Sequence, residues 1–275
     1  MRSILFTNLV TSSIKSALRE QGLLGLYRRL IDIVPDITHQ YSDFKIDSKY
    51  ILTKVKAQHS FQISLANRAI ELIDNKGDNE ELKIIDIGDS FGTHLQYIKA
   101  LWPKRQIRAV SVNLDNNAVQ RIRQKGLEAV CCRAEDIEKY SHSGTDIFLS
   151  FEMLEHLIDP IEFLYKLSTK TNGKLFVVTV PYLKTSRVGL RYIRSSNKKI
   201  STAENTHIFE LSPEDWKLLF QFTGWRVMFE KTYLQYPRRH WMRLTQPYWK
   251  KFDFEGFYGV ILKRDNSWVS QYQDW

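Results

Sequence analysis

From Lys83 onward, short and predominantly apolar runs alternate with stretches whose apolar residues recur at helical spacing. The runs are Lys83–Ile87, Ile107–Val112, Ala129–Cys132, Asp146–Phe151 and Lys174–Val180, followed by Trp225–Tyr233 and Gly256–Arg264. Between them, Leu95, Ile98 and Leu101, then Asn116–Lys125, Ile161–Leu167 and the stretch from Ser212 to Gly224 carry the helical pattern. Runs that stay apolar on successive residues, rather than alternating with polar ones, suit parallel strands covered on both faces. The alternation predicts an α/β fold: a Rossmann-like, doubly wound, seven-stranded and mostly parallel sheet, with ligands at the carboxyl ends of its strands.

The first 45 residues stand apart as an N-terminal helical extension, with the sheet domain over 46–275. Ile14, Leu18, Leu23, Leu26, Leu30 and Ile33 recur at rough helical spacing among Lys15, Arg19, Arg28 and Arg29. Such a helix either packs against the domain with its charges solvated or lies on an anionic membrane. A second helical pattern covers 50–74 and is ended by Asn75-Lys76-Gly77-Asp78.

Composition narrows the setting. The chain is 43% hydrophobic, and 40 Lys+Arg against 31 Asp+Glu give a formal charge of +9, which favours an anionic partner or surface. The adjacent Cys131 and Cys132 have no disulfide or metal-ligand spacing and read as small apolar residues of a buried strand. No segment has the length and hydropathy of a membrane span, and the apolar start at Ile4-Leu5-Phe6 ends too early for a signal peptide. A cytoplasmic protein is expected, with membrane association through the N-terminal helix left open.

The candidate chemistry begins at Asp86-Ile87-Gly88-Asp89-Ser90-Phe91-Gly92, where the first strand turns through two glycines into a helix. Glycine lets the backbone approach a ligand, and the helix start offers free N–H groups. Six stretches in order resemble the class I S-adenosylmethionine-dependent methyltransferases: this loop, Ser111–Asp115, Arg133–Asp136, Phe151-Glu152-Met153-Leu154-Glu155-His156-Leu157-Ile158-Asp159-Pro160, Val180-Pro181 and His207–Ser212. The resemblance spans about residues 50–265. It implies a methyltransferase whose S-adenosylmethionine contacts Asp86, Gly88, Ser90, Gly92, Asn113, Ala134, Glu135 and Phe151. Asn113 stands where the family usually has an acid, so restoring the acid is expected to tighten binding. Arg133 also replaces a common acid, a role that Glu135 can take.

Glu152, Glu155 and His156 stand at i, i+3 and i+4 and, if helical, share one face at the fourth strand's tip. With His207 they resemble the divalent-metal site of some O-methyltransferases, suited to Mg²⁺, Mn²⁺ or Fe²⁺. Alternatively His156 is a general base beside Glu155, or a packed residue. Two insertions, about 182–206 and 234–255, carry Lys184, Arg187, Arg191, Arg194, Lys198 and Lys199, then Arg238, Arg239, His240, Trp241 and Arg243. A basic, aromatic rim implies an anionic acceptor: a small molecule, glycan or lipid-linked intermediate. RNA methylation is the rival within enzymes, although no RNA-binding module is recognisable. A catalytically inactive adaptor is the rival outside them.

Overall fold

The computed structural model describes residues 4–41, 45–73, 80–140, 144–189, 206–252 and 254–272. The expected helix end at Asn75–Asp78 and the cations Arg191, Arg194, Lys198 and Lys199 lie outside them.

Three helices come first: α1 (Ile4–Glu20), α2 (Leu24–Ile33) and α3 (Lys49–Ile73). Strands and helices then alternate as β1 (Leu82–Ile87), α4 (Thr93–Leu101), β2 (Ile107–Asn113), α5 (Asn116–Gln124), β3 (Glu128–Cys131), β4 (Ile147–Phe151), α6 (Pro160–Lys170) and β5 (Leu175–Pro181). A small hairpin, β6 (Arg187–Val188) with β7 (Phe209–Glu210), precedes α7 (Pro213–Phe222), β8 (Trp225–Leu234), α8 (Gln246–Phe252) and β9 (Gly256–Arg264). The seven-stranded sheet runs β3-β2-β1-β4-β5-β9-β8. Its first five strands are parallel, and β9 lies antiparallel between β5 and β8.

The unbroken apolar runs have a direct cause. Leu149, Val177 and Ile261 point into one core with Phe61 and Leu65 of α3 and Leu95 of α4. Their neighbours Phe148, Phe176, Val178 and Leu262 point the other way, into a core with Phe163 of α6 and with Trp216 and Phe220 of α7. Successive residues of a strand face opposite sides, so a sheet covered twice needs both to be apolar. At β9 the covering helix comes so close that a Cβ on Gly259 would meet Leu65 Cδ1 at 2.3 Å and Phe61 Cζ at 2.8 Å.

From Val10 onward the apolar face of α1 packs on the domain, while Leu5 and Leu9 are exposed. Val10, Ile14 and Leu18 are buried in the same core as α3, together with Leu23 and Leu30. One expectation is corrected: Cys131 is exposed and Cys132 only half-buried, because β3 is the edge strand and its outer flank is open.

Candidate functional site

The residues singled out by the sequence lie at or just after the carboxyl ends of the parallel strands β1 to β5, with His207 beside β7. β1 ends at Asp86–Ile87, and the chain turns at Gly88 with φ +87°. A Cβ there would meet Met153 Cγ at 2.7 Å, so glycine is required both by the backbone and by the segment that follows β4. Gly92, with φ +72°, starts α4.

Asp86 is buried, and its Oδ2 accepts from His94 Nδ1 at 3.1 Å. The other ring nitrogen, His94 Nε2, lies 3.2 Å from Gln62 Oε1. Both nitrogens thus face acceptor oxygens, a pattern that only the imidazolium satisfies. Burial alone would lower the His94 pKa, but the Asp86 bond and charge outweigh it and hold the pKa above its ordinary value. Asp89 is likewise buried; burial first, then the Asp86 charge, pushes its pKa up to about 6. Its Oδ1 accepts from the N–H groups of Phe91 and Gly92, which closes the loop. Asp86 Oδ1 finds no hydrogen-bond partner among the described residues, which suits the ammonium end of a ligand such as S-adenosylmethionine.

Ser90 and Thr93 are tied to the N-terminal region. Gln40 Nε2 donates to Ser90 Oγ at 3.4 Å, and Thr93 Oγ1 donates to Gln40 Oε1 at 2.6 Å. Asn113 holds the loop from the other side: Nδ2 donates to the Asp89 carbonyl at 3.0 Å, and Oδ1 accepts from Asp115 N at 2.7 Å. Ala134 and Glu135 open a 3-10 turn, Ala134–Lys139, with Glu135 paired to Arg133 at 3.2 Å. Phe151, at the tip of β4, sets its ring 4.9 Å from that of His94.

The segment after β4 is not the helix that the i, i+3, i+4 spacing suggested. It is a single 3-10 turn, Leu154–His156, and Glu152 precedes it with φ +52°. The four expected ligands therefore do not converge. Glu155, His156 and His207 each offer one ligand atom within 4.8 Å of the others, without Glu152. Glu152 is half-buried and hydrogen-bonded to the Thr179 side chain; desolvation of its carboxyl group raises its pKa to about 8. His207 arrives through a backbone bond, Ile208 N donating to the Glu155 carbonyl at 2.7 Å.

Both imidazoles are oriented from behind. His156 Nδ1 donates to the Thr206 carbonyl at 2.9 Å, and His207 Nδ1 donates to Glu210 Oε1 at 3.0 Å. In the neutral rings this leaves Nε2 unprotonated on both, as metal-bound or basic imidazoles require. Glu210 also receives Arg187 across the β6–β7 hairpin, and these two partners keep its pKa low although burial opposes them. His207 stacks on Phe254 with 5.4 Å between ring centroids. Glu155 is fully buried, and neither carboxylate oxygen has a hydrogen-bond partner among the described residues. Burial, then the charge of Glu152, holds its pKa far above the usual carboxylate range.

Sequence reasoning passed over Gln40, Gln62, His94 and Glu210. The His207-x-x-Glu210 spacing was a usable signal for the last. The glutamines reach the site from distant helix and loop positions, and nothing local marks them.

Comparison with known proteins bears on the whole arrangement. A family model described as a methyltransferase domain matches residues 59–228. Among solved structures, the chain is similar to the (4+2) cyclase SpnF at 12% identity, with a TM-score of 0.54 over 91% of this chain and 97% of that one. It is also similar to a candidate sarcosine dimethylglycine methyltransferase from Galdieria sulphuraria at 11% identity, with a TM-score of 0.51 over 80% and 88%. A likeness to an S-adenosylmethionine-dependent methyltransferase from Clostridium acetobutylicum has 11% identity and a TM-score of 0.49 over 75% and 92%. At such identities the structural likeness concerns the fold. No curated protein matches the sequence.

Proposed function

Because the chain belongs to the class I S-adenosylmethionine-dependent methyltransferases, we propose that it methylates an oxygen of an anionic acceptor at the Glu155–His156–His207 cluster. The acceptor is a small molecule, glycan or lipid-linked intermediate. The observation that carries the reading is Glu155. Its carboxyl group is fully buried and without a hydrogen-bond partner among the described residues, beside two imidazoles held by their Nδ1 atoms. A buried carboxylate left bare is costly. A cation or an acceptor hydroxyl would satisfy it.

S-adenosylmethionine, when bound, supplies a methyl group already activated by its sulfonium. The protein's work is then to align the acceptor oxygen and manage its proton. In this reading Gly88, Ser90 and Gly92 hold the methionine end, with Asp86 for its ammonium. Asn113, Ala134 and Glu135 flank the nucleoside end, and Phe151 borders the reacting centre. Glu155, His156 and His207 would hold one Mg²⁺, Mn²⁺ or Fe²⁺, a group that lowers a hydroxyl's pKa. Glu152 stays outside the ligand set as a half-buried neighbour.

A second reading has its own support in the Thr206 carbonyl, which fixes the His156 tautomer. Here His156 Nε2 takes the acceptor proton as a lone base, and Glu155 stays protonated.

The two readings separate on chelation. Radiolabelled cofactor is incubated with the protein and a cell extract resolved into lipid, glycan, RNA, protein and small-molecule pools, before and after EDTA. A metal site loses label with EDTA and regains it with one divalent ion. His156→Ala and His207→Ala then each lower turnover about a hundredfold, nearly as much as both together. Full labelling after chelation, with loss confined to His156→Ala, establishes the lone base. No label in any pool overturns methyl transfer itself.

A further inference from the structure

Between Gln235 and Phe252 the sequence holds Arg238, Arg239, Arg243, Lys250 and Lys251 and no acid. At its centre is a 3-10 turn, Trp241–Thr245. Side chains at i and i+3 eclipse in such a turn, so two pairs point in different directions. Met242 and Thr245 point inward and are buried, with Thr245 Oγ1 2.8 Å from Ser13 Oγ on α1. Trp241 and Leu244 point outward, 60% and 74% exposed. Glu20 of α1 fixes the start of the turn by accepting from the backbone N–H groups of Arg238 and Arg239 at 2.7 and 2.9 Å. The turn therefore presents a tryptophan and a leucine next in sequence to the exposed Arg238, Arg239 and Arg243.

The same turn borders a cavity of ≈ 570 Å³, which shares Tyr182, Lys184 and Arg238 with a neighbouring cavity of ≈ 580 Å³ that Glu214 and Glu230 also line. Arg243 and Leu244 line the first. The cavities neighbour the Glu155–His156–His207 cluster through one stretch of chain. Phe254 stacks on His207, Glu255 accepts from Tyr236 of the first cavity, and the Gly256 carbonyl accepts from Tyr182 N.

Exposed basic residues alone would be a solvated surface. An outward tryptophan and leucine among them, in a segment that itself holds no acid, match a bilayer whose headgroups are anionic: indole at the interface, guanidinium groups on phosphates. We propose that the Trp241–Thr245 turn docks this protein on an anionic lipid bilayer. The cavity at Tyr182, Lys184, Arg238 and Arg243 then opens at headgroup depth, where it takes an acceptor bearing phosphate or carboxylate on an apolar tail. Docking runs through this turn and not through the Val10–Ile14–Leu18 face of α1, which is buried in the core. The acceptor half of the proposal rests on the methyl-transfer reading; the docking half does not.

The test is flotation of the full chain, without cofactor, on phosphatidylcholine vesicles with and without phosphatidylglycerol. The expected result is binding only to vesicles that contain phosphatidylglycerol, weakened by salt. Trp241→Ser, Leu244→Ser and Arg239→Glu each lower partitioning about tenfold. Leu72→Ser, which removes an exposed leucine of α3 away from the turn, leaves partitioning unchanged. Unaltered melting temperatures show that the variants fold. Equal binding to neutral vesicles, no binding at all, or equal loss in Leu72→Ser overturns the proposal. So does self-association that Trp241→Ser abolishes, or retention on RNA in place of vesicles. Because no cofactor is present, a failure of methyl transfer leaves the flotation result intact.

Discussion

Asp89 shows how much a single buried acid can govern here. Its neutral form is favoured in the folded chain, so its pKa rises from about 4 unfolded to about 6 folded. The folded state then binds the proton more tightly. Stability from this group is full below about pH 4 and is lost as pH rises through about 6. In Asp89→Asn, Oδ1 still accepts from Phe91 and Gly92, but the titration is gone. Relative to that variant, the wild type should lose about 2–3 kcal/mol between pH 4 and 6.5, measured by denaturant unfolding across the range. Parallel curves for both proteins would show that Asp89 titrates normally. His94 adds a loss of the same sign at higher pH, since its raised pKa stabilises the fold most below its ordinary value. Asn113 is the other informative residue. The sequence reading expects Asn113→Asp to tighten the cofactor, but the geometry reverses this. The substitution removes the donor to the Asp89 carbonyl and sets a carboxylate beside the buried Asp89. Cofactor affinity should fall, by about tenfold or more, and isothermal titration of both proteins decides the sign.

The elements were largely legible because double-sided burial writes itself into the strands. Phe148 and Leu149, or Phe176 and Val177, are apolar neighbours only because each faces a different core. The same logic fails for the segment after β4. There, spacing promised an α-helix, while the backbone bond from Ile208 to Glu155 belongs with a short 3-10 turn instead. That contact comes from the residue just before β7, more than fifty residues later, and no local pattern foretells it. The Asp86–His94–Gln62 network was hidden for the same reason, since Gln62 lies on α3, well before the loop. Gly259 was equally silent, being one small residue in an apolar run. It sets how closely α3 lies on the sheet, so Gly259→Val should cost about 2–3 kcal/mol from overpacking against Phe61 and Leu65. A thermal melt indistinguishable from wild type would show that α3 can move away.

At the scale of the whole molecule, the family match begins at residue 59, yet Gln40 braces the glycine turn from outside it. The N-terminal residues and the later turn at Trp241–Thr245 meet through Ser13 and Glu20. The Glu155–His156–His207 cluster, the glycine loop and the basic cavities are thus assembled from segments across nearly the full chain. The placing of β9 between β5 and β8 carries this further, into biosynthesis. A ribosome must deliver residues 256–264 before β5 gains its neighbour and before β8 has anything to pair with. Until then the nascent chain carries an open apolar strand edge, the feature most prone to pairing with another chain. A protein ending at residue 252 should therefore aggregate, whereas the full chain refolds, as light scattering during dilution from denaturant would reveal. Late in synthesis, this fold depends on the speed of its last strand and on whatever shields that edge while it waits.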